Sequence, residues 1–125
     1  MKIKISVSDL VFYASLYDTF TGEVIYSTLP FIGHVSTWGD EIYFEAPVQC
    51  DLEKSARAEV EIGDLAYWPS MPAFCVFFGP TPVSTGTKPV AAGPVNVFGK
   101  LENFKIEELK QIKSGALIKI EKVIS

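Results

Sequence analysis

The stretch "AYWPSMPAFCVFFGPTPVSTG", Ala66–Gly86, contains four prolines and five aromatic residues and carries no charge. The uncharged segment extends on both sides, from Leu65 to Thr87. Its length would suffice to span a bilayer, but its prolines interrupt any continuous helix. Two apolar strands, Leu65–Trp68 and Phe74–Phe78, joined by "PSMPA", fit the pattern better, because continuous apolar runs are typical of strands covered on both faces. The segment therefore predicts a pair of adjacent core strands.

The composition indicates one ordinary globular domain, residues 1–125, with 48% hydrophobic and 21% charged residues. The net charge is −4 and no cluster of lysine or arginine is present. This pattern argues against nucleic acid as a partner and against an anionic membrane surface. The first residues, "MKIKISVSDL", lack the continuous apolar run of a signal peptide. A cytoplasmic location is therefore the default expectation.

The two cysteines, Cys50 and Cys75, are too few for a disulfide scaffold. A single bridge between them is one alternative, and two free thiols in a reducing compartment is the favoured one. His34, Asp40 and Cys50 do not show the spacing of metal ligands. The sequence predicts neither a metal site nor a cofactor.

Hydrophobic alternation and turn residues predict the elements before the apolar segment. The predicted elements are the strands Lys2–Val7 and Leu10–Tyr17, a helix over Thr19–Thr28 capped by Asp18, and the strands Gly33–Trp38 and Glu41–Glu45 around a Gly39-Asp40 turn. The polar residues Gln49–Glu61 predict a surface connection with one short strand.

The same signals predict the elements that follow the apolar segment. They are a long loop over Gly79–Val95, a strand over Asn96–Leu101, a helix over Phe104–Ile112 capped by Asn103 and ended by Gly115, and a strand over Ala116–Val123. Eight short strands with only two helices indicate a mainly β fold. We expect a closed eight-stranded β-barrel, because closure removes exposed sheet edges.

Three motifs resemble those of known proteins. "VFGK", Val97–Lys100, resembles the cyclophilin strand that leads into the second helix. "WGDEIYFEAP", Trp38–Pro47, and "GDLAYWP…AFCVFFGPTP", Gly63–Pro82, resemble the small cyclophilin-like proteins of bacteria and archaea, whose activity is not established. The resemblance covers essentially the whole chain. It implies a cyclophilin-like barrel and a groove that corresponds to the cyclophilin proline pocket.

The resemblance also implies what a prolyl isomerase site would need: an arginine on the third strand, a glutamine, and a histidine just before "VFGK". The only arginine is Arg57, in the polar connection, and Pro94–Asn96 precede "VFGK". The position that the resemblance implies for the glutamine falls near Tyr43 or Glu45, and neither residue is a glutamine. Because isomerisation depends on a positioned cation, we expect no efficient isomerase activity and assign no catalytic residue. An isomerase with a remodelled site is the alternative.

The expected function is therefore binding of a small molecule or peptide in that groove. Glu41, Tyr43 and Glu45 share one strand face if the period is two. The predicted binding residues are His34, Tyr43, Glu45, Trp68, Phe74, Phe78 and Pro80.

Each of these residues also has an ordinary structural role as its alternative. His34 and the glutamates would then be solvated, and Phe74 and Phe78 would only complete the core. Cys75 is interpreted as a buried structural cysteine rather than as half of a dyad with His34. An apolar rim that pairs subunits into a homo-oligomer is a further alternative.

Overall fold

Ten antiparallel strands and two helices make up the computed structural model, which describes residues 1–124. The strands are β1 Lys2–Val7, β2 Leu10–Leu16, β3 Phe31–His34, β4 Ser36–Thr37, β5 Glu41–Glu45, β6 Arg57–Glu59, β7 Asp64–Trp68, β8 Ala73–Phe77, β9 Val90–Glu102 and β10 Leu117–Lys122. The helices are α1 Phe20–Thr28 and α2 Ile106–Leu109. Ser125, the last residue of the predicted domain, lies outside the described residues. No helix within residues 1–124 is long and apolar enough to cross a membrane.

The sheet runs in the order β3-β10-β1-β2-β9-β7-β8-β5-β4, with β6 paired to β9. The prediction of a closed eight-stranded barrel is therefore wrong, although the mainly β class with two helices is confirmed. No ladder within residues 1–124 joins the edge strands β3 and β4. Only Val35 separates these strands along the chain, and its amide donates to the Ala116 carbonyl at 2.9 Å. The two edge strands are thus connected through the backbone at Val35 and not by a hydrogen-bonded ladder.

The predicted hairpin of apolar strands is confirmed. β7 pairs with β8 in a register that places Ala66 opposite Cys75, and every residue of β8 is buried. Phe74 points into the main core, where its ring stacks on Phe44 at 5.4 Å and meets Phe98 edge-on at 5.2 Å. The opposite face of β8 belongs to a second, smaller apolar cluster. Its buried members are Val60, Ala66, Ala73, Cys75, Phe77, Ala91 and Val95.

The first helix is capped by Thr19 rather than by Asp18 as predicted. The Thr19 hydroxyl accepts a hydrogen bond from the Gly22 amide at 3.0 Å, and the Thr19 backbone is extended. Glycine at position 22 lowers the helix propensity, but the packing requires it. A Cβ at this position would lie 2.5 Å from the Tyr17 carbonyl oxygen.

The second helix is shorter than the predicted Phe104–Ile112, and Asn103 does not cap it. Asn103 instead adopts a φ of 47°, a left-handed conformation that asparagine tolerates better than most residues. The ring of Phe104 packs against Gly63, where a Cβ would lie 2.9 Å from the ring. The helix therefore begins only at Ile106, after the turn at Asn103 and the packing of Phe104 on Gly63.

The predicted loop over Gly79–Val95 is also too long, because β9 already begins at Val90. The first half of β9 pairs with β6, with Glu59 opposite Val90 and Arg57 opposite Val95. This pairing joins distant parts of the sequence. The local composition, "AAGPV", gives no sign of it because strand preference depends strongly on tertiary context.

A buried polar network holds the segment before β6 against the sheet. The Asn96 amide group donates to the Thr21 hydroxyl at 3.0 Å and to the Asp51 carbonyl at 2.9 Å. Its carbonyl oxygen accepts from the Glu53 amide at 2.8 Å, and the Thr21 hydroxyl donates to the Glu53 carboxylate. Asn96 therefore connects β9 to α1 and to the polar connection.

Candidate functional site

Two glycine-containing turns pack against each other at one end of the candidate site. The Asp40 amide donates to the Pro80 carbonyl at 2.9 Å, and the Asp40 carbonyl accepts from the Phe78 amide at 2.9 Å. A Cβ at Gly39, whose φ is 60°, would lie 2.8 Å from Thr81 Cα. A Cβ at Gly79 would lie 2.4 Å from Asp40 Oδ2. Glycine at both positions lets the β4–β5 turn dock on the segment after β8.

A cavity of about 500 Å³ lies over the sheet on the face opposite the main core. This volume is typical of small-molecule sites. The strands β5, β7, β8 and β9 and the β7–β8 connection surround the cavity. Its lining residues are Trp38, Glu41, Tyr43, Trp68, Ser70, Met71, Cys75, Phe77, Ala91, Ala92 and Val95.

Aromatic side chains form most of the cavity wall. Trp38, Tyr43 and Trp68 are half-buried, whereas Phe77 is buried. The facing positions on β9 are small, Ala91 and Ala92. Bulky side chains on β5, β7 and β8 opposite small ones on β9 leave a space that the protein does not fill.

Among the residues that the structure describes, Glu41 is the one acidic residue that lines the cavity, and no basic side chain lines it. The residue is only 5% exposed. Burial raises the pKa of its carboxyl group to about 7, although a hydrogen bond from the Cys75 thiol opposes this shift. The cavity therefore contains a carboxyl group that changes its charge near neutral pH.

Cys75 is buried beside Glu41, and both Cys75 and Cys50 are free thiols, as favoured from the sequence. Burial raises the pKa of the Cys75 thiol well above its usual value, and the charge of Glu41 raises it further. The thiolate, which is the nucleophilic form, is therefore disfavoured at this position. The geometry gives the Cys75 thiol one weak hydrogen bond, to the Ala73 carbonyl oxygen at 3.9 Å from Sγ.

The structure places two of the predicted binding residues, Tyr43 and Trp68, in the wall of the cavity. Glu45 follows Tyr43 on the same face of β5 but is exposed, opposite Ala73. His34 is exposed on the edge strand β3, opposite Leu117. Neither Glu45 nor His34 lines the cavity.

The other three predicted binding residues do not line this cavity either. Phe74 is fully buried in the main core, and Phe78 is buried in the same core. Pro80 is exposed, and its carbonyl oxygen holds the turn at Asp40. Side chains alternate along β8, so Phe74 faces the main core, and the face that borders the cavity carries Cys75 and Phe77.

The sequence-based selection therefore missed Trp38, Glu41, Cys75 and Phe77. The alternation of β5 already indicates Glu41, which shares its strand face with Tyr43, but the selection omits it. Trp38, immediately before the Gly39-Asp40 turn, fits either a rim position or the side of a groove by sequence alone. Cys75 and Phe77 carry no such signal, because β8 is apolar on both faces.

Within residues 1–124, no group of three or more His, Cys, Asp or Glu side chains is arranged to hold a metal ion. The cavity itself offers one carboxyl group and aromatic surfaces to a ligand.

Comparison with known proteins defines the class to which this fold and site belong. Residues 1–121 match the family described as cyclophilin-like, so the chain belongs to the cyclophilin-like family. The resemblance found in the sequence motifs is thereby confirmed. No curated protein matches the sequence.

Two solved structures share the fold. A hypothetical protein from Archaeoglobus fulgidus, solved in solution, is 34% identical with a TM-score of 0.82, over 98% of this chain and 95% of that one. The structure of McbB in complex with tryptophan is 11% identical with a TM-score of 0.73. That match covers 98% of this chain and 46% of McbB, and it shows a shared fold alone.

Proposed function

We propose that this protein binds a small organic molecule in the cavity over β5, β7, β8 and β9. The observation that carries the proposal is a concave apolar site, walled by Trp38, Tyr43 and Trp68, with one buried carboxyl group at Glu41. Small-molecule sites combine mostly apolar walls with a few placed polar groups that orient the ligand.

Aromatic walls favour a flat, unsaturated ligand, because aromatic rings stack on one another and bury large apolar areas. McbB, which shares the fold, has been solved in complex with tryptophan. Indole, the ring system of tryptophan, is therefore a suitable first probe of the cavity.

Titration of the full chain with indole, followed through the backbone amide resonances by NMR, tests the proposal. We expect saturable shifts centred on Tyr43, Cys75 and Ala92. Ala91→Trp should fill the cavity and abolish these shifts, because Ala91 is buried, lines the cavity and shares its strand face with Val95. Val83→Trp is the matched control, since Val83 is exposed and does not line the cavity. Shifts that do not saturate, or that persist unchanged in Ala91→Trp, would contradict the proposal.

The residues that line the cavity do not favour efficient prolyl isomerisation. Arg57, the only arginine of the chain, lies on β6 with its guanidinium group 4.0 Å from the Asp64 carboxylate. It does not line the cavity, so the cavity lacks the cation that would polarise a prolyl amide. We expect the rate of a protease-coupled proline-peptide assay to equal the uncatalysed rate. Acceleration that Ala91→Trp removes would instead favour an isomerase with a remodelled site.

A further inference from the structure

We propose that the ligand of the cavity is an organic amine, whose positively charged nitrogen pairs with the Glu41 carboxylate while its apolar part packs against Trp38, Tyr43 and Trp68. This inference rests on the proposed function, since it names the chemical class of molecule that the same cavity binds.

The position of Glu41 is the first argument. Glu41 follows the β4–β5 turn, and the docking of Asp40 on Phe78 and Pro80 fixes the backbone beside it. Glu41 lines the cavity, although the residue as a whole is only 5% exposed. The Glu41 carboxyl group is therefore accessible mainly from the cavity.

The surroundings of the carboxyl group are the second argument. A buried carboxylate is costly unless a cation or strong hydrogen-bond donors compensate its charge. The partner on the neighbouring strand is the thiol of Cys75, a weak donor. No lysine, arginine or histidine of the described residues lines the cavity. A cation that compensates the charge from within the cavity would therefore have to come with the ligand.

The aromatic wall is the third argument. Tryptophan and tyrosine rings attract cations through the negative potential of their faces, most strongly when the cation is desolvated. Trp38, Tyr43 and Trp68 line the same cavity as Glu41. The carboxylate and these rings therefore both favour a positively charged group on the ligand. An anionic ligand would be repelled by Glu41 and would find no basic partner.

The proposal is tested with three probes that share one ring and differ in charge. Tryptamine is a cation, indole is neutral and indole-3-acetate is an anion. Their affinities for the full chain are measured by calorimetry at pH 8, where Glu41 is charged. We expect tryptamine to bind at least about tenfold more tightly than indole, in line with a charge-assisted hydrogen bond. Indole-3-acetate should bind least tightly.

Glu41→Gln should lose the preference for tryptamine, so that tryptamine and indole bind this variant with similar affinities. Glu45→Gln is the matched control, because Glu45 lies on the same face of β5 but is exposed and does not line the cavity. It should keep the native order of affinities. If Glu41→Gln fails to fold, the native chain at pH 5.5 replaces it. Protonation of Glu41 should then weaken tryptamine binding several-fold and leave indole binding unchanged.

The outcomes separate this inference from the function on which it rests. If indole binds in the cavity but tryptamine binds no more tightly, or if Glu41→Gln and pH 5.5 both leave the preference intact, the amine assignment is overturned and the binding function stands. If none of the three probes binds, the proposed function fails, and the amine assignment fails with it.

Discussion

The Glu41 carboxyl group lies against the Cys75 thiol across the β5–β8 ladder, on the face that borders the cavity. Glu41 is directly opposite Phe77, and Cys75 is two residues away on the same face, so the pair are diagonal neighbours. Burial favours the neutral form of both groups. The fold thus holds at the cavity an acid whose charged form is destabilised, which is a common feature of functional sites.

The pH dependence of stability should reveal this carboxyl group. Its pKa in the folded chain, about 7, lies above the ordinary value of 4.5, so the folded state holds the proton more tightly than the unfolded state. The stabilisation is fully present below pH 4.5 and is lost as the pH rises to about 7. It amounts to roughly 3 kcal/mol. Cys75 and Tyr43 are the titratable groups beside Glu41 in the cavity, and Asp40, next in the chain, lies 3.9 Å from Lys110.

Glu41→Gln removes this titration. We therefore expect the free energy of unfolding of the native chain to fall, relative to that of Glu41→Gln, between pH 4.5 and 7. Urea unfolding at a series of pH values measures the difference. Glu45→Gln should run parallel to the native chain, because Glu45 is exposed. Parallel curves for Glu41→Gln as well would show that Glu41 titrates normally.

The Cys75 thiol should be unreactive in the folded chain. Each unit by which a pKa rises lowers the thiolate fraction about tenfold, and Cys75 is also only 2% exposed. In a Cys50→Ser background, labelling with a thiol reagent at pH 8 should be more than tenfold slower than in urea. Adding Glu41→Gln should speed the labelling, because the charge of Glu41 raises the pKa of Cys75. Labelling of the folded chain at the unfolded rate would contradict this account.

Gly79→Ala should destabilise the chain by about 1–3 kcal/mol, the usual cost of overpacking. The new methyl group would lie 2.4 Å from Asp40 Oδ2 and 2.9 Å from Asp40 Cβ. Gly86→Ala is the control, because no atom lies within 4 Å of its Cβ position. It should be neutral or slightly stabilising. Equal midpoints of thermal unfolding for the two variants would show that the two turns do not pack closely.

Asn96→Ala should cost about 3 kcal/mol, since it removes the three hydrogen bonds that the buried Asn96 side chain makes with the Thr21 hydroxyl, the Asp51 carbonyl and the Glu53 amide. Gln49→Ala, at an exposed position, should change the free energy of unfolding by less than about 0.5 kcal/mol. Chemical denaturation of both variants measures these values. A similarly small effect of both substitutions would show that the hydrogen bonds of Asn96 do not stabilise the fold.

The sequence predicted the hairpin of β7 and β8 because its signals are local, namely two apolar runs separated by prolines. It also predicted the mainly β class. The open edges of the sheet at β3 and β4 and the pairing of β6 with β9 could not be read from it, since both depend on contacts between distant segments. The site was predicted only in part for a related reason. Tyr43 and Trp68 were selected, but Phe74 was preferred to Phe77 because a strand buried on both faces shows no alternation.

The most direct measurement is the pKa of the Glu41 carboxyl group, followed by carbon NMR with and without tryptamine. We expect a value of about 7 in the free chain and a clear decrease when the amine binds, because a bound cation stabilises the carboxylate. A value near 4.5 that tryptamine leaves unchanged would contradict both the buried carboxyl group and its role in the cavity.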